Sequence, residues 1–143
     1  MRIEFPLKLI SAANAREHWS VKAKRVAKER RVVWAELLQV KRLPTLPVNV
    51  KLVRIAPGTL DGDNLQSAFK ATRDEIAKAF KIDDNNILIS WFYAQEKSKE
   101  YRVRIEIESQ MVKVKKLTAT NKKRVWDKIE KNVSKNWGEG HAR

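Results

Sequence analysis

Four aspartates flank a segment of helical periodicity in this chain. In the stretch LDGDNLQSAFKATRDEIAKAFKIDDNNI, Asp61 and Asp63 precede the helical pattern, and Asp83 and Asp84 follow it. Asp61 and Asp63 point to the same side of an extended segment, and two carboxylates about 5 Å apart repel by on the order of 3 kcal/mol at an effective dielectric of about 20. A bound cation would remove this repulsion. Because hard oxygen ligands favour Mg²⁺ or Mn²⁺ over zinc, the pattern is typical of a site for one of these two ions.

The same aspartates also have a purely structural interpretation. Asp63 is a suitable N-cap, with Gln66 three residues later completing a capping-box pattern. Asp61 and the DDNN sequence suit turns. A calcium-binding EF-hand is excluded, because the loop positions that need an oxygen ligand, a glycine and a glutamate are Leu65, Gln66 and Thr72. Walker, GxGxxG and HExxH motifs are absent from the sequence.

The charge balance favours a polyanionic partner. Lys and Arg number 31 against 17 Asp and Glu, which gives a formal net charge of +14. Nucleic acid is the first candidate, because Lys and Arg contacts to phosphates release condensed counterions; a solubilising basic surface or an anionic membrane fits the same totals. With no cysteine, the chain has no disulfide scaffold or thiol chemistry. With no secretory signal or long apolar span, we expect a cytoplasmic protein without a membrane segment.

The hydrophobic periodicity predicts an α+β fold in which the elements follow the order β-α-β-α-β-β. Pro6 suits an edge position for the first strand. The architecture expected from this order is a small mixed sheet covered by two helices. The predicted strands and helices run over Arg2 to Ile10 (strand), about Asn14 to Val40 (helix), Val48 to Ala56 (strand), Asn64 to Phe80 (helix), Ile87 to Gln95 (strand) and Tyr101 to Glu108 (strand).

Two segments concentrate basic residues. The first predicted helix has a basic face, which either contacts nucleic acid or is simply solvated; its candidate contact residues are Lys22, Lys24, Arg25, Lys28 and Arg31. Residues 109–143 form a basic extension to a domain over residues 1–108. From Met111 onwards it holds ten Lys and Arg against three Asp and Glu, half of the net charge of +14. Its apolar spacing predicts a helix from about Asn121 to Asn136, which either docks on the body or becomes ordered on DNA.

The two aspartate motifs resemble the signature of the RusA family of Holliday-junction resolvases. In that family D-x-D-N-L-x-K opens a helix and a D-D-x-x-[IV] turn follows it. The likeness covers roughly Arg2 to Glu108 and includes the first strand, the long basic helix and the closing strands. It implies a homodimeric, Mg²⁺-dependent endonuclease that cuts phosphodiester bonds in branched DNA, encoded by a bacterium or a phage.

The resemblance also assigns roles to individual residues. It implies that Asp61, Asp63 and Asp84 hold the metal and act in catalysis, with Asp83 as a neighbour. One position departs from the family pattern: Ser67 stands where a catalytic lysine is usual. Lys70, one turn further along the polar face, is the candidate replacement both as a catalytic residue and as a contact to DNA.

The length of the second helix bears on how such a site could be assembled. A helix of about 17 residues is roughly 25 Å long, which would separate Asp84 from Asp61 and Asp63 within one chain. Two subunits packed antiparallel about a two-fold axis would instead join each aspartate pair to the other chain's Asp84. A sharp fold-back of the loop after the helix is the alternative, and it would assemble the site in one chain.

Other functions remain open from the sequence. The serine at position 67 also suits a basic nucleic-acid-binding protein on the same scaffold that no longer catalyses. The acidic residues could belong to a structural or regulatory module that binds a basic partner. A nuclease for flaps or replication forks would carry the same motifs, because preference among branched substrates depends on subunit geometry.

Overall fold

The computed structural model describes residues 1–11, 16–110 and 126–131 and divides into two compact units, Met1–Gln110 and Met111–Arg143. In the second unit, residues 126–131 are helical, and the rest of the helix predicted over 121–136 lies outside the described residues. The elements described in the first unit are β1 (Arg2–Pro6), α1 (Trp19–Leu38), β2 (Val48–Ala56), α2 (Gly62–Ala68), α3 (Lys70–Ala79), β3 (Ile89–Lys97) and β4 (Arg102–Ser109).

The first unit is built on a mixed four-stranded sheet with the strand order β1-β4-β2-β3. Strands β2 and β3 are parallel, whereas β4 pairs antiparallel with both β1 and β2. The predicted α+β class and small mixed sheet are therefore confirmed. Strand β1 lies at an edge, as Pro6 indicated, and it ends at this proline rather than at Ile10, because proline has no N–H to continue the ladder.

One face of the sheet forms the core with the helices. Val103, Ile105 and Ile107 alternate along β4 and are fully buried, as the two-residue period requires. They belong to the same buried cluster as Val33 of α1 and Ile76 of α3. The intervening strand residues carry ion pairs, including those of Arg104 with Glu4 and Glu96. The helices thus cover one face and leave a charged face on the other side.

The single helix predicted over residues 64–80 is wrong, because the chain forms two helices instead. Helix α2 ends at Ala68, and Phe69, with φ −90° and ψ 4°, separates it from α3. At this point the Phe69 N–H bonds back to Gln66 O at 3.2 Å, an i to i−3 contact that tightens the last turn of α2. The ring of Phe69 is fully buried, so the break lies at a core residue.

Helix α1 begins later than the predicted Asn14. Residues 16–18 are not helical, and residues 12–15 lie outside the described part of the chain. His18 caps the helix through its side chain, which accepts a hydrogen bond from Ser20 N. None of the helices in the described residues has the length and apolar content that crossing a bilayer demands.

Phe69→Ala is expected to lower the free energy of unfolding by about 3–5 kcal/mol, because it removes a fully buried ring and leaves a cavity. The matched control is Phe92→Ala on β3, where the side chain is 52% exposed and the expected change is within about 0.5 kcal/mol. Urea denaturation of both variants measures the difference. Equal losses in the two variants would contradict the packing described for the helix break.

Candidate metal and nucleic-acid site

Asp61 and Asp63 lie at the start of α2 and are both exposed. Asp61, rather than the expected Asp63, is the N-cap: its Oδ1 accepts the Asn64 N–H at 3.0 Å. Asp63 lies in the first turn, where the helix dipole favours a negative charge. A Cβ added at Gly62 would meet nothing within 4 Å. The backbone at Gly62 is therefore open to a ligand. Because Gly62 and Asp63 already belong to α2, the expected extended segment with Asp61 and Asp63 on one side is wrong.

A side chain from β3 positions the chain just before Asp61. Gln95 accepts a hydrogen bond from Leu60 N at 2.8 Å and donates one to Leu60 O at 2.7 Å. These two bonds satisfy both backbone groups of Leu60 and tie the start of α2 to the sheet. The sequence did not reveal this positioning residue, because its role depends on the register between β2 and β3.

The chain reverses direction sharply after α3. Lys81 has a left-handed φ of 60°, and Ile82 N bonds to Ala77 O at 3.1 Å while Lys81 N bonds to Lys78 O at 3.0 Å. This pair of bonds is a Schellman motif, which ends a helix and turns the chain away from its axis. The following residues return along α3 and bring Asp84 to its first turn.

Asp84 is held there by two cations. Its Oδ2 accepts a hydrogen bond from Lys70 Nζ at 2.8 Å and lies 3.2 Å from a guanidinium nitrogen of Arg73. Its backbone carbonyl accepts the indole N–H of Trp91 at 2.8 Å. The hydrogen bond from Lys70 lowers the pKa of Asp84 below its usual value. Both cations approach Oδ2, so Oδ1 is the oxygen that could ligate a metal without breaking either contact.

Lys70 is therefore close to one of the predicted metal ligands. A second carboxylate, Asp74, lies 3.0 Å from its ammonium group. The hydrogen bonds to Asp84 and Asp74 raise the pKa of Lys70, so it stays cationic at neutral pH. Arg73 completes this group and stacks over the Trp91 ring at 5.1 Å. Arg73 was not among the residues predicted from the sequence, although its spacing of three residues from Lys70 places both on one helix face.

The three predicted metal ligands do not converge in one chain. Within the described ranges, no cluster of three or more His, Cys, Asp or Glu side chains could hold a metal ion. The fold-back returns Asp84 to Lys70 but does not group it with Asp61 and Asp63. Asp83 is exposed, and its backbone carbonyl accepts Asn86 N in a turn. One chain therefore offers a carboxylate pair at α2 and a separate carboxylate beside α3, and it does not by itself fit a three-carboxylate metal site.

The basic face of α1 is only partly available to a ligand. Lys22, Lys24, Lys28 and Arg31 are exposed. Arg25 differs, since its side chain is 16% exposed and its guanidinium pairs with Glu17 at 3.1 Å and Glu29 at 3.0 Å. Burial raises the pKa of Glu29, and Arg25 neutralises the carboxylate when it ionises. Arg25 is thus engaged in the protein's own ion pairs, whereas the other four predicted contact residues of α1 make no ion pair with the described residues.

Asp84→Asn is expected to lower the free energy of unfolding by about 1 kcal/mol at neutral pH, because Lys70 and Arg73 lose their shared anion. The pKa of Asp84 is lowered from 3.8 and that of Lys70 is raised from 10.5. The stabilisation is thus present between these values, is lost as the pH falls through the lowered pKa, and is lost again as it rises through the raised one. Denaturant titrations at neutral pH and well below pH 3.8 test this.

The matched control for this substitution is Asp83→Asn, since Asp83 makes no ion pair with the residues that the structure describes. We expect no change in stability for the control at either pH. A deficit of Asp84→Asn that persisted unchanged in acid would contradict an ionic origin.

No protein-family model matches this chain, and no curated protein matches its sequence. The resemblance to the RusA family therefore stays a prediction, which rests on the residues of the two aspartate motifs. An assignment of activity therefore depends on these residues and on the geometry around them.

Proposed function

We propose that this chain is a Mg²⁺-dependent endonuclease of the RusA type that cuts branched DNA such as Holliday junctions by phosphodiester hydrolysis. One observation carries the proposal. Asp61 and Asp63 are exposed and make no ion pair with any described residue, although Lys and Arg number 31 in this chain. A pair of carboxylates left without a protein cation in so basic a protein is available for a bound metal ion.

Each subunit would contribute a different part of the site. Asp61 and Asp63 of one subunit, with Asp84 of a second copy, would supply the three carboxylates that a single chain does not group. A bound divalent ion lowers the pKa of a water molecule and neutralises charge on the phosphate undergoing attack. A two-fold symmetric dimer would hold two such sites, which suits a substrate that needs two symmetric cuts.

The remaining roles belong to cations. Lys70, kept protonated by Asp84 and Asp74, would stabilise negative charge on the phosphate or the leaving oxygen. Ser67 carries no charge and does not supply this stabilisation. The exposed side chains of Lys22, Lys24, Lys28 and Arg31 on α1 would contact backbone phosphates, which position the arms of the DNA without reading its sequence.

A second candidate function is a non-catalytic nucleic-acid-binding protein on the same scaffold. Two observations favour it: the serine at position 67 and the separation of Asp84 from Asp61 and Asp63 within the described part of one chain. This protein would bind branched DNA through the same basic face of α1. It would not cut the DNA at any Mg²⁺ concentration.

The first test is a gel assay of a labelled four-way junction beside a linear duplex, with and without Mg²⁺. We expect the wild type to nick the junction only with Mg²⁺. Asp63→Asn should reduce nicking by on the order of a hundredfold or more, because losing a metal ligand removes several kcal/mol of transition-state stabilisation. The variant should keep or strengthen DNA binding, since it repels phosphates less.

Glu108→Gln is the matched control for this assay, because Glu108 is an exposed carboxylate on β4 away from the proposed site. Its nicking rate should equal that of the wild type. Junction binding by the wild type without any Mg²⁺-dependent nicking would overturn the nuclease proposal in favour of the non-catalytic function.

A second test mixes subunits that carry Asp63→Asn with subunits that carry Asp84→Asn. If sites are shared, each heterodimer regains one intact site, and random pairing should restore about a quarter of the wild-type site activity. The matched control mixes Asp63→Asn with Asp61→Asn, which leaves both shared sites damaged. No recovery in the first mixture, with each variant shown to dimerise, would contradict a site built from two subunits.

A further inference from the structure

A small basic cleft lies between α1 and the junction of α2 with α3. Its volume is about 170 Å³, roughly the room taken by five or six water molecules at about 30 Å³ each. Ser67 and Lys70 line one wall, and Lys22 and Arg30 line the other. A phosphate group, with five heavy atoms, is of suitable size for this space.

The lining combines charged residues with four apolar ones, Ile10, Val26, Ala68 and Ala71. Four cations and one carboxylate, Glu29, face the cleft. Arg25 neutralises this carboxylate at 3.0 Å. Arg30 is paired with Asp74 at 3.0 Å, and Lys70 is held by two carboxylates. Lys22 alone among these cations makes no ion pair with the residues that the structure describes, so its charge remains available for a bound anion.

A neutral donor faces the same cleft. Ser67 lines it, is exposed and uses its hydroxyl in no hydrogen bond to the described residues. Ser67 follows Asp63 by four residues, so the two side chains lie on one face of α2. The cleft therefore opens one helical turn from the carboxylate pair at the start of α2.

We propose that this cleft binds a phosphate group, with the Lys22 ammonium and the Ser67 hydroxyl as its principal donors. An ammonium group and a hydroxyl, both without a partner among the described residues and both lining a cavity of this size, can provide a charge-assisted and a neutral hydrogen bond to an anion. Arg30 and Lys70 line the same cleft, but carboxylates already pair with both of them. This inference rests on the proposed function, in which the ligand is a backbone phosphate of the DNA strand. Ser67 carries no positive charge, and the packing of α1 brings Lys22 to the same cleft to supply it.

The experiment is an NMR titration of the metal-free, full-length protein, with two probes: inorganic phosphate and the phosphodiester-linked dinucleotide of thymidine. We expect saturable shifts of the Lys22 and Ser67 amides. Lys22→Gln should weaken the affinity about tenfold and Ser67→Ala about threefold. The matched control is Lys41→Gln, which removes an equal charge from an exposed residue that does not line the cleft and should change affinity less than about twofold.

The two probes distinguish the source of the phosphate. Binding of the dinucleotide assigns the cleft to a nucleic-acid strand, and binding of inorganic phosphate alone assigns it to a free phosphate. Absence of saturable shifts with both probes would overturn the proposal, as would equal losses in Lys22→Gln and Lys41→Gln. Asp63→Asn, which should reduce nicking by on the order of a hundredfold or more, is expected to bind both probes at least as tightly as the wild type. Failure of the nuclease proposal is thereby distinguished from failure of the phosphate site.

Discussion

The parallel pairing of β2 with β3 is the constraint on which the placement of the aspartates depends. Parallel neighbours need a crossover connection, and here α2 and α3 provide it. Asp61 follows the carboxyl end of β2, whereas the chain must return to the other end of the sheet to begin β3 at Ile89. Strand β2 has nine residues and spans roughly 30 Å. The two motif halves therefore start at opposite ends of the sheet, and the Schellman turn returns Asp84 only as far as the first turn of α3.

A chain of ion pairs holds the returned loop. Arg30 of α1 pairs with Asp74 of α3, Asp74 with Lys70, and Lys70 with Asp84. The backbone of Asp84 is in turn fixed by Trp91 of β3. Because Lys70 is 59% exposed, these contacts add little to stability. Their main effect is to orient the side chains of Lys70 and Asp84, which would otherwise occupy many rotamers. A preorganised site requires side chains that are held in this way.

The regular strands and helices could be predicted from the local hydrophobic periodicity of the sequence. The helix break at Phe69 and the chain reversal at Lys81 could not. The alternation in VNVKLVRIA predicted β2 with the observed bounds, because its first five residues alternate apolar with polar side chains. The break at Phe69 was hidden, since the three-and-four spacing of buried residues continues through it and no glycine or proline marks it. The reversal at Lys81 was hidden for a related reason: a left-handed φ is rare for lysine. Arg25 was predicted to contact nucleic acid, but it pairs with the buried Glu29. The burial of Glu29 is a tertiary property that the local pattern does not reveal.

The serine at position 67 bears on the choice between the two candidate functions. A nuclease needs a cation at a fixed distance from Asp63, and this distance depends on which helix carries the cation. A lysine at this position would project from the same short helix as Asp63. Lys70 and Lys22 come from other helices, so their distance from Asp63 depends on how α1 and α3 pack. Lys70 already contacts two carboxylates, and a phosphate approaching it must share or displace them. Lys22 has no such competitor among the described residues. On the two proposals, Lys22 would therefore bind the phosphate directly, while Lys70 would orient Asp84 and add its charge at the phosphate or the leaving oxygen.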